Sequence, residues 1–375
     1  MTGKAFDQMR RHVRYMIICS CGGFLLSLTG LPIGWMLGTL AVSAGLSLCP
    51  SSVWRKRCGA GGLAGYWLNI GQMLLGVQIG EQINRTIINV FIREWPIIVF
   101  VLALSVVLSL LSGWCVWRFS QADLMTSLYG TTPGGLSAML GIAADVGADM
   151  AAVSVIQTLR VVLVIGTLPL AVSLLGGGMA DGKNMVILPE PLNGLSLTGF
   201  LLTVLLAIAG SLLARRCRLP APWLIGSLLV SGMLQILLGS AFSVYLPVWW
   251  PNVFIIVAQV MIGASVGARM RRELFKGLLR TTVVGLCSSI GLMGMMAFAA
   301  VLVSMRTNLP LATTMLAFAP GGIAEMAATS VVLHADATFV VTVQVLRVLA
   351  VVLLLPPLFH RLKQHRPGRS TQAAE

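Results

Sequence analysis

Thr132-Pro133-Gly134-Gly135, followed by Asp149, Gln157 and Arg160, returns 187 residues later as Ala319-Pro320-Gly321-Gly322, Asp336, Gln344 and Arg347. Upstream of it, Gln72-x-x-x-Gly76-x-x-x-Gly80 returns at the same displacement as Gln259-x-x-x-Gly263-x-x-x-Gly267. Leu31-Pro32-x-x-Trp35-x-x-Gly38 returns 188 residues on, as Leu219-Pro220-x-x-Trp223-x-x-Gly226, so one insertion or deletion separates the two blocks. The chain is an internal duplication, and a duplicated membrane unit is the usual construction of a secondary transporter.

The rest of the sequence puts that unit in a bilayer. Of its 375 residues 57% are hydrophobic and 10% charged, and the mean hydropathy is +0.90, values that belong to an integral membrane protein. Apolar runs of roughly 17–25 residues are long enough to cross, and they lie at 15–30, 31–48, 61–80, 95–117, 149–175, 193–214, 219–238, 250–268, 279–303 and 336–359. Two more stretches, 121–147 and 309–334, are broken by Pro-Gly-Gly. The longest polar connection is 176–192, which leaves no space for a soluble catalytic or DNA-binding domain. The net charge of +14 sits in short clusters at span ends, the pattern of positive-inside bias rather than of a nucleic-acid stripe. Residues 1–14, with Lys4, Arg10, Arg11 and Arg14, read as a cytoplasmic tail. The seven cysteines are scattered through apolar spans without a C-x-x-C and read as packing residues.

Charge clusters also count the crossings. Arg10/Arg11/Arg14, Arg55-Lys56-Arg57, Arg215/Arg216/Arg218, the group from Arg269 to Arg280, and Arg361/Lys363/Arg366/Arg369 should all face the cytoplasm. Six crossings per repeat would place Arg215–Arg218 and Arg269–Arg272 outside. Five crossings put all five clusters inside, with the acidic Gly176–Glu190 connection and the aromatic Tyr245–Trp250 turn outside. An odd number inverts the halves. The segments that fail to cross are then the two with Pro-Gly-Gly: each arm is about twelve residues, or about 18 Å of helix, enough to reach mid-bilayer and return. Proline and glycine suit the reversal, and such a tip persists only where it is buried in protein or lines a watery cavity. The expected fold is an all-α integral membrane protein of two inverted repeats, each about five transmembrane helices plus one Pro-Gly-Gly re-entrant hairpin. Residues 15–175 form repeat 1, 176–192 an external connection, 193–360 repeat 2, and 361–375 a second cytoplasmic tail.

Arg160 and Arg347 fall near the membrane midplane, where a guanidinium costs roughly 2.5–3.5 kcal/mol on insertion scales and needs a partner. Asp149 and Asp336 lie eleven residues earlier, on the same helical face but about 16 Å away along the axis, too far to pair. The partner is either a hairpin carbonyl or an anionic solute, and arginine suits both. Thr132, Pro133, Gly134, Gly135, Pro320, Gly321, Gly322, Arg160 and Arg347 are therefore the candidate solute-binding residues. Glu325, near the start of a half-helix where Ala138 stands in the first repeat, suits the positive end of a helix dipole and is an intramembrane ionisable residue. With Asp149, Asp336, Gln157 and Gln344 it is a candidate for coupling to H+ or Na+. Asp145 and His334 read as interfacial. The glutamines and the small-xxx-small stripes allow helix contacts within the monomer or in a homodimer.

Three of the four histidines lie in the terminal tails or, for His360, at their edge, so no imidazole cluster is expected to hold copper or zinc in the bilayer, and no P-loop, dinucleotide or G-x-S-x-G fingerprint is suitably placed. No metal, cofactor, enzymatic activity or nucleic-acid partner is expected. The duplicated Leu-Pro-x-x-Trp-x-x-Gly turn, and the Pro-Gly-Gly followed by Asp-x7-Gln-x2-Arg at a 187-residue period, resemble the bacterial AbrB-type membrane protein family over residues 15–360. That resemblance implies a membrane AbrB duplication, in a family labelled both as regulators of gene expression and as ammonia monooxygenases. Together the readings predict a multi-pass protein of the bacterial inner membrane with both termini cytoplasmic, a secondary transporter of a small, anionic solute. The alternatives are a membrane-embedded regulator and, last, the monooxygenase of the family label.

Overall fold

A computed structural model describes residues 2–31, 33–49, 63–83, 85–134, 136–175, 194–241, 253–270, 277–307 and 309–364. Gly135, the Arg55–Arg57 cluster, the 176–192 connection, the Tyr245–Trp250 turn, Arg271 and Arg272, and the tail from 365 lie outside them. The described chain is helical throughout. Numbered in order, the first repeat supplies α1 (Thr2–Ser27), α2 (Gly34–Leu48), α3 (Gly65–Glu81), α4 (Arg85–Phe119), α5 (Leu124–Thr131), α6 (Leu136–Asp145) and α7 (Met150–Leu175). The second supplies α8 (Gly194–Arg216), α9 (Pro222–Ala241), α10 (Val253–Gly267), α11 (Leu279–Arg306), α12 (Leu311–Phe318), α13 (Ile323–Val332) and α14 (Ala337–Gln364). Each helix of the first set has its counterpart in the second.

Five of the described helices, α4, α7, α8, α11 and α14, are long and apolar enough to cross a bilayer. α2, α9, α10 and α13 contain shorter apolar segments. Two boundaries differ from the hydropathy reading. α1 is continuous from Thr2, so most of the 1–14 tail belongs to the first helix, and α4 begins at Arg85 rather than near 95. Both extensions carry charge that lowers local hydropathy without breaking the helix.

The helices sort into two bundles. α1, α2 and α3 pack with α8, α9 and α10; α4 to α7 pack with α11 to α14. Within the first bundle the repeats exchange partners, because α3 lies most closely on α9 and α10 on α2. Glycine makes the approach possible. A Cβ on Gly80 would stand 2.7 Å from the Leu228 carbonyl and 2.7 Å from Ser231 Cβ; one on Gly267 would stand 2.7 Å from the Leu40 carbonyl and 2.7 Å from Ser43 Cβ. Gly76 and Gly263 press in the same way on the Leu224 and Met36 carbonyls. Leu224, Leu228 and Ser231 are the 188-residue counterparts of Met36, Leu40 and Ser43, so the two contacts are one contact made twice. The repeated small-xxx-small stripe thus serves packing inside the monomer. Gly38 and Gly226, from the duplicated Leu-Pro turn, repeat the device against the Gly22 and Gly210 carbonyls.

In the second bundle α4 meets α11. Ser112 and Ser288 hydroxyls lie 2.6 Å apart, and Arg280 Nε donates to the Phe119 carbonyl at 3.0 Å. Large apolar side chains of both helices, among them Trp95, Phe100, Leu111, Met295 and Phe298, point outward and are exposed. The few contacts between bundles run from α3 and α10 to α7, α13 and α14.

Candidate functional site

Both Pro-Gly-Gly segments separate two short helices. α5 closes at Thr132 in extended conformation (φ −76, ψ 130), and α12 closes at Ala319 (φ −55, ψ 135). Gly322, ahead of α13, is also extended (φ −84, ψ 151). None of the described tip glycines has a positive φ, so left-handed backbone is not why they are glycine. The glycines instead leave room for neighbouring side chains. A Cβ on Gly322 would strike the Glu325 carboxylate, one on Gly321 would reach the Met326 side chain at 3.0 Å, and one on Gly134 would enter that of Met139.

Three hydrogen-bonded rungs tie each hairpin to the long helix that follows it. At the base, Asp149 N–H donates to Thr126 Oγ1 (2.9 Å) and Asp336 N–H to Thr313 Oγ1 (3.1 Å). In the middle, Gln157 Nε2 donates to the Tyr129 carbonyl (2.9 Å) and Gln344 Nε2 to that of Leu316 (2.9 Å). At the tip, Arg160 Nη1 donates to the Thr131 carbonyl (2.5 Å) and Arg347 Nη1 to those of Ala319 (2.6 Å) and Phe318 (3.4 Å). Arg347 Nη2 adds the Gly321 carbonyl (3.3 Å) and Gln344 Oε1. Charged donors on carbonyls that the break in the helix leaves unsatisfied are strong bonds in a dry interior, and they answer the question of the arginines' partner from within the protein.

The aspartate carboxylates do something else. Asp149 Oδ1 accepts from Ala151 and Ala152 N–H at 2.8 and 3.2 Å, and Asp336 Oδ1 from Phe339 N–H at 2.9 Å. Both cap the helices they precede and neither borders the cavity described next. Gln344 and Arg347 also lie off it. His334, exposed at the far end of α13, takes the left-handed φ of 52 that Gly147 takes in the first repeat, at 76.

A cavity of about 450 Å³ lies where the two bundles face each other. The second bundle brings Pro133, Gly134, Gln157, Thr158 and Arg160 from the first repeat, and Gly321, Gly322 and Glu325 from the other. The first bundle brings Asn69 and Gln72 of α3, the Arg218–Pro222 turn, and Arg269 past the end of α10. Leu68, Val161, Ile323, Val348 and Val352 make the remaining wall apolar. Arg160, Gln157 and Glu325 are 4%, 2% and 6% exposed, so the charged groups sit deep. The charge of Arg160 acts on Arg347 and that of Arg269 on Glu325. Sequence reasoning assigned Arg218 and Arg269 to topology and missed their place in the site. The available signal was the one that singled out Glu325, a charge present in one repeat only: Gly30 and Gln82 stand at the matching positions. Among the described residues no three His, Cys, Asp or Glu side chains come together as metal ligands.

With that geometry in place, kinship can be read over the whole span of both repeats. A family model described as "Transition state regulatory protein AbrB" matches residues 53–363. The chain belongs to the AbrB family. It is 41% identical over 372 residues to "Uncharacterized protein YhjN" of Bacillus subtilis (strain 168), covering 97% of this chain and 96% of the relative. It is 28% identical over 299 residues to "Putative regulator AbrB" of Escherichia coli (strain K12), covering 80% and 83%. No solved structure matches.

Proposed function

We propose that this AbrB-family protein is a secondary transporter of a small anionic solute in the bacterial inner membrane, and not an enzyme. The observation that carries the reading is the cavity itself. Both broken hairpins, a deeply set arginine and a lone carboxylate converge on it, and it lies between two bundles with few contacts across the seam. Half-helix termini meeting at a cavity in mid-membrane are a recurring transporter site, and rocking one bundle against the other is how such a site changes sides.

The inverted, ten-crossing arrangement belongs to the same proposal. Supporting it, the equivalent helices α4 and α11 meet with Ser112 beside Ser288 and Phe119 beside Arg280, so that one sequence rises as the other falls. For the hairpins, Thr126, Tyr129 and Thr131 pair in rising order with positions 149, 157 and 160, so α5 runs parallel to α7, and α6 must come back to reach the start of α7. That order supports the re-entrant reading. The Arg218 and Arg269 margin of the cavity is on the side that positive-inside bias makes cytoplasmic; the equivalent Ile33–Gly34 and Gln82 margin is not part of it. On this reading the cavity opens inward.

The test is counterflow in proteoliposomes of purified protein across a panel of organic and inorganic anions, with Arg160→Ala as the control. Expected is flux of at least one anion in the parent and none in the variant. Equal flux in both removes the anion site, and no flux for any solute removes the carrier. The relative's printed name favours a second reading, a membrane regulator, which predicts no flux and a copurifying protein. An effect on gene expression also follows indirectly if the solute is a metabolite.

A further inference from the structure

Equivalent residues of the two repeats do not have equivalent surroundings. Arg347 is 2% exposed and lies off the cavity, with both terminal nitrogens held by three carbonyls and Gln344 Oε1. Arg160 borders the cavity and, among the described residues, makes one bond, from Nη1 to the Thr131 carbonyl. The half-helices differ too. α13 carries Glu325 in its first turn, with the carboxylate folded back against Gly322. α6, which begins just past Gly134 of the cavity wall, has Ala138 in that place and no carboxylate in its first turn.

Both guanidinium groups are buried, with no salt bridge to either among the described residues, and both Nε atoms lack a partner there. Arg347 has both terminal nitrogens held. Of the two, Arg160 is the one that borders the cavity. We propose that a single carboxylate of a small organic monocarboxylate binds Arg160 beside the amino end of α6, while Glu325 bars a second anionic group from the opposite wall. A guanidinium takes a carboxylate through two parallel bonds, and a helix amino end favours negative charge. Glu325 holds the matching place on α13, so a dicarboxylate that reached Arg160 would meet the Glu325 carboxyl group, itself an acceptor, on the same cavity. The Leu68, Val161, Val348 and Val352 wall takes the apolar body, and about 450 Å³ is toward the small end of ligand pockets. This inference rests on the carrier reading and names the end of the solute that the site reads.

The experiment is calorimetric titration of the full chain in detergent with butyrate, succinate and inorganic phosphate. Butyrate should bind the parent, and succinate and phosphate far more weakly. Arg160→Lys should lose at least about tenfold for butyrate, as expected when a charge-assisted hydrogen bond is lost. Arg347→Lys, where it elutes as a single species, should stay within about threefold of the parent, because its guanidinium does not touch the solute. Glu325→Gln should gain succinate binding by at least about tenfold, a gain of function that misfolding does not imitate. The proposal is overturned if butyrate does not bind, if Arg160→Lys binds it unchanged, if phosphate binds in preference, or if Glu325→Gln leaves succinate excluded. Carrier failure reads differently: butyrate then binds with the expected variant pattern while vesicles show no flux.

Discussion

The sharpest test of the fold is a set of glycine-to-alanine changes whose sign depends on position. Gly80→Ala and Gly267→Ala each place a methyl 2.7 Å from a backbone carbonyl, that of Leu228 or Leu40, where ordinary contact begins at 3.4 Å. A carbonyl inside a helix cannot turn aside, so the helices must part by about 0.7 Å, and overpacking of this kind costs about 1–3 kcal/mol. Alanine returns up to about 1 kcal/mol in helix propensity, which leaves a net loss of up to about 2 kcal/mol. Gly166 in α7 and Gly291 in α11 have nothing within 4 Å of the same methyl, so alanine there collects the propensity gain alone and stabilises by about 0.5–1 kcal/mol. Thermal unfolding of the four variants in one detergent, followed by the folded fraction on gel filtration, gives the comparison. Gly80→Ala and Gly267→Ala should fall together and by similar amounts, since they occupy two copies of one contact. The reasoning fails if either matches Gly166→Ala, or if only one of the pair responds.

Arg347→Ala leaves the Phe318, Ala319 and Gly321 carbonyls without their cation and should destabilise by about 2–4 kcal/mol, read as a lower unfolding temperature and new proteolysis near the second tip. Arg160→Ala, with one such bond, should lose less than half as much. His334→Gly relieves a left-handed non-glycine residue and should raise stability by about 1 kcal/mol; a fall would mean that the imidazole has a role the exposed site does not suggest. Asp336→Ala removes the cap on Phe339 N–H at a cost of about 1 kcal/mol but should leave the cation dependence of flux unchanged, which is measured by exchanging sodium for potassium in the vesicle assay.

Much of the helix order was legible because duplication prints each constraint twice. The apolar run read at 149–175 is α7 within one residue, and the repeated tip with its Asp, Gln and Arg returned as three hydrogen-bonded rungs at matching heights. The arginine's partner was narrowed to carbonyl or solute but not decided, since periodicity fixes the face of a helix and not what lies across from it. The two-bundle partition was out of reach for the same reason: that α3 of one repeat lies on α9 of the other is a tertiary fact, and the glycine stripe gives the closeness of an approach without its partner. The aspartates look like ion ligands in a list of intramembrane charges. Only their place at the first turn of α7 and α14 reveals them as caps. Arg218 and Arg269 were hidden by their agreement with the positive-inside pattern, which explained them before the cavity could claim them.

Gln259, the second-repeat twin of the cavity-facing Gln72, is fully buried in α10, and among the described residues neither its amide nitrogen nor its oxygen has a partner. A dry, unanswered amide carries a standing penalty of about 1–3 kcal/mol, whereas Gln72 opposite is free to meet water. On the carrier reading, a conformation that opened the opposite side would wet Gln259 and bury Gln72 in its place, so each state would leave one of the two amides short of partners.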